Sequence, residues 1–231
     1  MWLGLLTALS VAAAAPALAA PTHYTVTLAG VRLGTLVLDA TTAGDAYRAS
    51  IEFETNGLAG LLDYGLEGSA AGRVLDGHIL VPALFTARSH SPRALRHTRI
   101  GWTDGVPSFV VVDPPREEAV DTDAATGALD PASALFRIGR PGPAGDVCGE
   151  SLEVFDGSRI VRLDLGPPAK SAGGIACDGL YTRIGGEPLT PLDPPECPFR
   201  LLYRVAPDGT AVLERIGIPT RFGQALIGRA T

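Results

Sequence analysis

The sequence predicts an all-β domain, mostly antiparallel, shaped as a barrel or a strongly curved open sheet and carrying one short helix. Three observations lead there. Polar and apolar residues alternate in many short runs, the period of strands with one wet face. Gly and Pro, 28 and 19 of 231 residues, break these runs at close intervals. Full helix start signals stand at one place, Asp130-Pro131. A hydrophobic content of 46% against 19% charged residues supplies apolar matter for a sizeable core and excludes a disordered chain. With 25 acidic and 19 basic side chains the net charge is −6, opposite to the footprint of a nucleic-acid binder, so no nucleic-acid partner is expected.

The first element is a leader. Residues 2–20 are uncharged, Leu-rich and then Ala-rich, and they contain Ala17-Leu18-Ala19, the small-x-small pattern that a signal peptidase accepts. Residues 1–19 are therefore expected as a signal peptide and 20–231 as a single periplasmic β-rich domain. The competing reading of the same run is an uncleaved anchor. No later run approaches spanning length, so no transmembrane segment is expected after the leader.

Strands follow in order. Tyr24, Val26 and Leu28 alternate with Thr25 and Thr27, Ala29-Gly30 makes a turn, and 31–37 reads as the antiparallel partner. Tyr47, Ala49, Ile51 and Phe53 share the dry face of a third strand, with Arg48, Ser50, Glu52 and Glu54 on the wet face. A turn of helix is expected at 58–62, then strands at 84–89, 95–102 and 108–112. The helix runs from Pro131 to about Ile138, with Asp130 as N-cap, Pro131 at the first position and Gly139 as its stop. Further strands are expected at 151–155, 159–165, 180–184, 199–206, 210–218 and 220–227. Asp156-Gly157 and Asp208-Gly209 are hairpin turns between such runs.

Candidate chemistry is sparse. Three cysteines allow one bridge and leave one thiol over. Cys148 with Cys177 would close a loop of about 30 residues, but in a plain meander the two stand two strands apart, near 10 Å, beyond the roughly 7 Å that a disulfide spans. That pair therefore needs one cysteine off the ladder, and Cys177 with Cys197 remains the alternative. Arg88, Arg93, Arg96 and Arg99 fall close together with His90 and His97. Arg93, Arg96 and Arg99 are candidate anion-binding residues, because guanidinium pairs with phosphate in bidentate fashion. Strand alternation, however, places Leu95, His97 and Arg99 on one face and Arg96, Thr98 and Ile100 on the other. The neighbouring stretch 113–130 holds six acids against one Arg and reads as a solvated loop. Glu52 and Glu54 form a carboxylate pair on a wet strand face. No nucleophile elbow, phosphate loop, dinucleotide fingerprint or paired metal-ligand spacing is present, so no catalytic residue, cofactor or metal is assigned.

A set of short motifs carries a family resemblance. Gly30 with Gly34, the Thr55-Asn56-Gly57-Leu58 turn, Pro82, the run Asp130-Pro131-Ala132-Ser133-Ala134-Leu135, Cys148 ahead of Val154-Phe155-Asp156-Gly157-Ser158-Arg159, Cys177 and Pro219 stand in an order and spacing that resembles the bacterial exported family catalogued as domain of unknown function 3108, over nearly the whole chain after the leader. The resemblance implies a periplasmic curved or spiral open barrel in cell-envelope biology, without an assigned reaction. It also implies Cys148–Cys177 as the disulfide, with Cys197 as the thiol left over. The functional expectation is a non-enzymatic binding or structural module whose dry concave face forms an apolar groove. Its occupant would be a lipid or lipopolysaccharide, or an envelope protein. A hydrolase acting on envelope glycans or lipids is the alternative.

Overall fold

The computed structural model describes residues 20–56, 63–92, 94–115, 120–188 and 194–230. The expected signal peptide 1–19, the helical turn at 58–62 and Arg93 lie outside the described residues. Fifteen strands in this range form one antiparallel sheet, curled but not closed into a barrel. No helix among the described residues is long and apolar enough to cross a membrane.

Two meanders make the sheet. The first runs β1 (Thr22–Leu28), β2 (Val31–Ala43), β3 (Ala46–Thr55), β4 (Gly65–Leu75), β5 (Ile79–Ser91), β6 (Ala94–Thr103) and β7 (Val106–Asp113). Its neighbour order is simply the chain order, as short turns dictate. After the helix α1 (Pro131–Gly139) and the short β8 (Gly142–Pro143), the second comprises β9 (Ser151–Phe155), β10 (Arg159–Leu165), β11 (Ala169–Ser171), β12 (Gly174–Gly186), β13 (Glu196–Val205), β14 (Thr210–Thr220) and β15 (Gly223–Arg229). Pairing of β1 with β15, Val26 against Ile227, zips the two meanders together in mid-sheet. The outer strands are then β7 and β9. Residues 128–130 cover the free side of β9: Leu129 donates its N–H to the Glu153 carbonyl and accepts from the Phe155 N–H.

Alternation explains the strands and their faces. Tyr47, Ala49 and Ile51 are buried on the concave side of β3, whereas Arg48, Ser50, Glu52 and Glu54 are exposed. The Ala29-Gly30 turn has positive φ at both residues, 49° and 83°, the geometry that matches strand twist. Both Asp-Gly turns join paired strands as expected, β9 to β10 and β13 to β14. At the first of them the Asp156 carboxylate accepts from the N–H groups of Ser158 and Arg159.

Strand β4 departs from expectation. Its sequence, GLEGSAAGRVL, is poor in β-branched and aromatic residues, so nothing in its own propensity announces a strand. The reason is packing. Gly68, Ala70 and Gly72 lie along its concave side. Small residues there leave room for the large side chains of the flanking strands, Ile51 and Phe85 over Gly68 and Tyr47 over Gly72. A Cβ on Gly72 would fall on the Val81 carbonyl oxygen and 2.7 Å from the Tyr47 ring. Gly72→Ala is therefore expected to cost about 2–3 kcal/mol, read as a lower midpoint in urea unfolding with the slope unchanged.

The helix fills the curl. Phe136 stacks on Tyr47 with ring centroids 5.8 Å apart, and Ala132, Ala134 and Ile138 are buried with it. Phe85, Ile100, Trp102, Phe155, Ile160, Leu201 and Leu213 complete one continuous core. The expected open groove along the dry concave face is thus occupied by the protein's own side chains, because the α1 segment crosses the sheet instead of lying outside it. A second correction concerns the stretch 113–130. Ala125, Ala128 and Asp130 are each 0% exposed, so its end is core and not a solvated loop.

Candidate functional site

Among the described residues, two clefts lie at one end of the curl, around the last turn of α1, and a third of about 410 Å³ lies along β2 to β5. The helix starts at Asp130, whose Oδ1 accepts from the Ser133 N–H at 2.9 Å and whose Oδ2 accepts from the Ser133 hydroxyl at 2.5 Å. Tyr47 Oη meets the same Ser133 Oγ at 2.6 Å. This Tyr47–Ser133–Asp130 array looks like an activated hydroxyl, yet Asp130 and Ser133 are wholly buried and their bonds cap and anchor the helix. Burial pushes the Asp130 carboxyl up to about 6 against the bonds from Ser133 that pull it down.

At the other end of α1, Tyr203 on β13 donates to the Ile138 carbonyl at 3.0 Å and so satisfies one of the terminal carbonyls that a helix leaves bare. Burial holds the Tyr203 phenol well above its ordinary range. Arg137 and Arg140, one turn apart, project from this last turn, where the helix dipole favours cations. Arg137 Nη2 pairs with Glu150 Oε2 at 2.8 Å, the two side chains 16% and 23% exposed. Burial raises the Glu150 carboxyl, and the Arg137 guanidinium opposes that. Arg140 Nη2 donates to the Gly77 carbonyl at 2.9 Å, and no carboxylate among the described residues pairs with it. Burial first, and the Arg137 charge second, hold Arg140 below its ordinary range.

The walls come from distant parts of the chain. The β4–β5 turn, with Asp76 and Gly77 at φ 48° and 73°, presents His78, whose Nδ1 meets the Asp76 carbonyl at 2.7 Å. The loop 142–150 supplies Asp146, Val147 and Glu150. A cleft of about 600 Å³ lies between these and α1, and it also meets Tyr203 and Cys148. A second cleft of about 460 Å³ adjoins it, lined by Leu38, Ala40, Phe136 and Gly139 beside Thr22 and Thr41. Arg140 and Gly77 belong to both.

The loop is held by the Cys148–Cys177 disulfide, Cα atoms 5.7 Å apart. The meander objection dissolves because Cys148 is off the ladder. Strand β10 ends with Leu165 opposite Gly179, two residues short of Cys177, and the Gly149 N–H donates to the Gly166 carbonyl past that end. Cys148 thus folds across the slot that β10 leaves. Cys197, on β13 opposite Tyr181, stays outside the bridge.

Of the candidate anion residues, Arg96 and Arg99 occupy opposite faces of β6: Arg96 Nε donates to the Pro114 carbonyl at 3.1 Å, while Arg99 lies over the Phe109 ring at 5.9 Å. Glu52 and Glu54 stand on the outer face, Glu52 directly opposite Glu67 of β4. Sequence reasoning passed over Arg137, Arg140, Glu150 and His78. The one signal for them was two arginines three residues apart in the last turn of the expected helix, ahead of a Gly/Pro-rich loop that ends in Cys148.

Comparison with known families bears on this arrangement. A family model described as protein of unknown function (DUF3108) matches residues 23–166, more than half of the chain. The chain belongs to the DUF3108 family. No curated protein and no solved structure matches it. The DUF3108 match takes in the first meander, α1, β9 and β10, and so contains Arg137, Arg140, Glu150 and His78. It ends before Cys177, Tyr203 and Pro219.

Proposed function

We propose that the protein is an exported module of the cell envelope that holds a lipid-like ligand, without catalysing a reaction, in the two joined clefts at the end of the curl. One observation carries this reading: with the concave interior filled, two open clefts at the end of α1 share Gly77 and Arg140, and one of them reaches down to Leu38, Ala40 and Phe136 at the edge of the core. Their sizes, about 460 and 600 Å³, fall within the range of small-molecule sites. The uncharged leader and the buried disulfide support export to an oxidising compartment. A rigid, disulfide-tied wall fits a site that recognises a shape and needs no moving parts.

Native mass spectrometry tests the reading on protein isolated from the envelope fraction without detergent. A discrete adduct of lipid mass is expected on the wild type, reduced in a Phe136→Ala variant that remains folded. Protein recovered in the cytosolic fraction, or protein consistently free of adduct, would overturn it.

A further inference from the structure

We propose that the end of the curl opposite the clefts docks on a membrane, seating the β1–β2 and β14–β15 hairpin tips in the headgroup layer of an anionic bilayer. This surface is independent of the clefts and of what they hold. Alternate turns of an antiparallel meander share an end, and the pairing of β1 with β15, Leu28 against Ala225, brings these two tips together. The Ala29 N–H donates to the Gln224 carbonyl at 2.9 Å and joins them. Phe222, 62% exposed, and Val31, 57% exposed, stand on the tips and are the most exposed large hydrophobic side chains among the described residues. Each has an arginine beside it. The Arg221 guanidinium lies over the Phe222 ring at 4.7 Å, and Arg32 Nη2 donates to Thr35 Oγ1 at 3.1 Å; neither pairs with a carboxylate among the described residues.

Charge selects the occupant. Residues 20–38 and 215–230 carry Arg32, Arg215, Arg221 and Arg229 and no Asp or Glu, in a chain whose net charge is −6. Glu54 on β3 and Glu196 on β13, the next strands outward, bound this positive zone. Two further carboxylates at the same end are partnered, Asp63 with His90 at 3.5 Å and Asp156 with Arg159 at 2.6 Å. Turns at the opposite end carry Asp45, Asp76, Asp104 and Asp208. Leu75, Ile79 and Val106 are exposed there too, but close to aspartates that an anionic surface repels. Two hairpin tips offer little flat area, whereas a stable protein interface needs on the order of 1,000 Å². A ring capped by a guanidinium instead suits the boundary of a bilayer, where the ring enters and the cation meets phosphate. Tyr64 and Leu95, exposed at the same end, extend the contact. The clefts then face away from the bilayer.

Co-sedimentation with vesicles tests the docking, using protein purified from the envelope fraction with its disulfide intact. Binding to vesicles of phosphatidylglycerol and phosphatidylethanolamine is expected to exceed binding to phosphatidylcholine vesicles by at least about tenfold and to fall as salt rises. Arg32→Gln and Arg221→Gln should each weaken it about fivefold, and Phe222→Ser about tenfold. Arg73→Gln, at the opposite end, should change nothing. Phe222→Trp gives a direct readout: its emission, measured against the wild type, should shift to the blue with the anionic vesicles only. Equal binding to both vesicle types, tip variants that bind as the wild type does, or an unshifted Phe222→Trp emission would overturn the proposal. Self-association in light scattering that Phe222→Ser abolishes would overturn it as well, since the tips would then be a contact between copies. The tip side chains are exposed, so thermal melts of the variants should coincide with the wild type; should Phe222→Ser fail to fold, Phe222→Trp, which keeps a ring, and the two arginine variants still decide.

Discussion

Asp130→Ala is expected to lower the stability of the fold by about 2–4 kcal/mol, more than any single surface change. Two costs add. The helix loses its N-cap acceptor for the buried Ser133 N–H, a loss of roughly 1 kcal/mol. The buried Ser133 hydroxyl loses its carboxylate acceptor and keeps only the Tyr47 phenol, and a buried hydrogen bond to a charged or polar partner adds about 1–3 kcal/mol. Tyr47, bonded to the same Ser133 Oγ, loses a fixed orientation against Phe136. The helix is the plug of the curl, so its loosening reaches strands on both meanders.

Asp130→Asn separates the cap from the charge. Asparagine retains an oxygen for the Ser133 N–H but does not titrate. The wild-type carboxyl is pushed up to about 6 in the fold from an ordinary value of 3.8. Between those values the native state keeps a proton that the unfolded chain has released. The stabilising contribution is therefore complete below about pH 4, shrinks as pH rises through 6, and by pH 7 is smaller by about 3 kcal/mol. Urea unfolding from pH 4 to 8 should show the wild type losing stability relative to Asp130→Asn across that window. Parallel curves for the two proteins would refute the burial of a titrating carboxylate at this position.

The sequence and the fold agree where local chemistry and tertiary packing ask for the same residue. Alternation along 24–28, 31–37 and 47–53, the two Asp-Gly turns and the Asp130-Pro131 start each act within a few residues, so each could be read directly. Strand β4 could not, since its glycines answer to large side chains of the flanking strands, Tyr47, Ile51 and Phe85, that its own sequence does not show. Asp130 was legible as a cap but not as a core residue, because its acidic neighbours suggested solvent. The candidate site was the least legible part. His78, Arg140, Glu150 and Tyr203 come from four separate segments and share no local pattern. Arg96 and Arg99, conspicuous in sequence, are divided by strand alternation, as period 2 requires.

Removal of the disulfide is the second change with a large expected effect. Cys148 and Cys177 are 29 residues apart, and in the chain-entropy account a loop of that length stabilises by about 3–4 kcal/mol through its restriction of the unfolded chain. Cys148→Ala/Cys177→Ala should therefore melt roughly 6–16 °C lower and, since the unfolded chain expands, show a steeper urea dependence. Thiol titration should count one reactive group before reduction and three after reduction in denaturant, the first being Cys197. A structural consequence separates this bridge from a generic staple. It fixes the loop 142–150 that carries Glu150, so its loss frees the carboxylate that neutralises Arg137 and widens the larger cleft. Hydrogen exchange should then rise at residues 144–150 and in the last turn of α1, while β1 to β3, which the bridge does not touch, keep their protection. Uniform loss of protection across both meanders would mean that the bridge holds the whole curl and not the wall of the cleft.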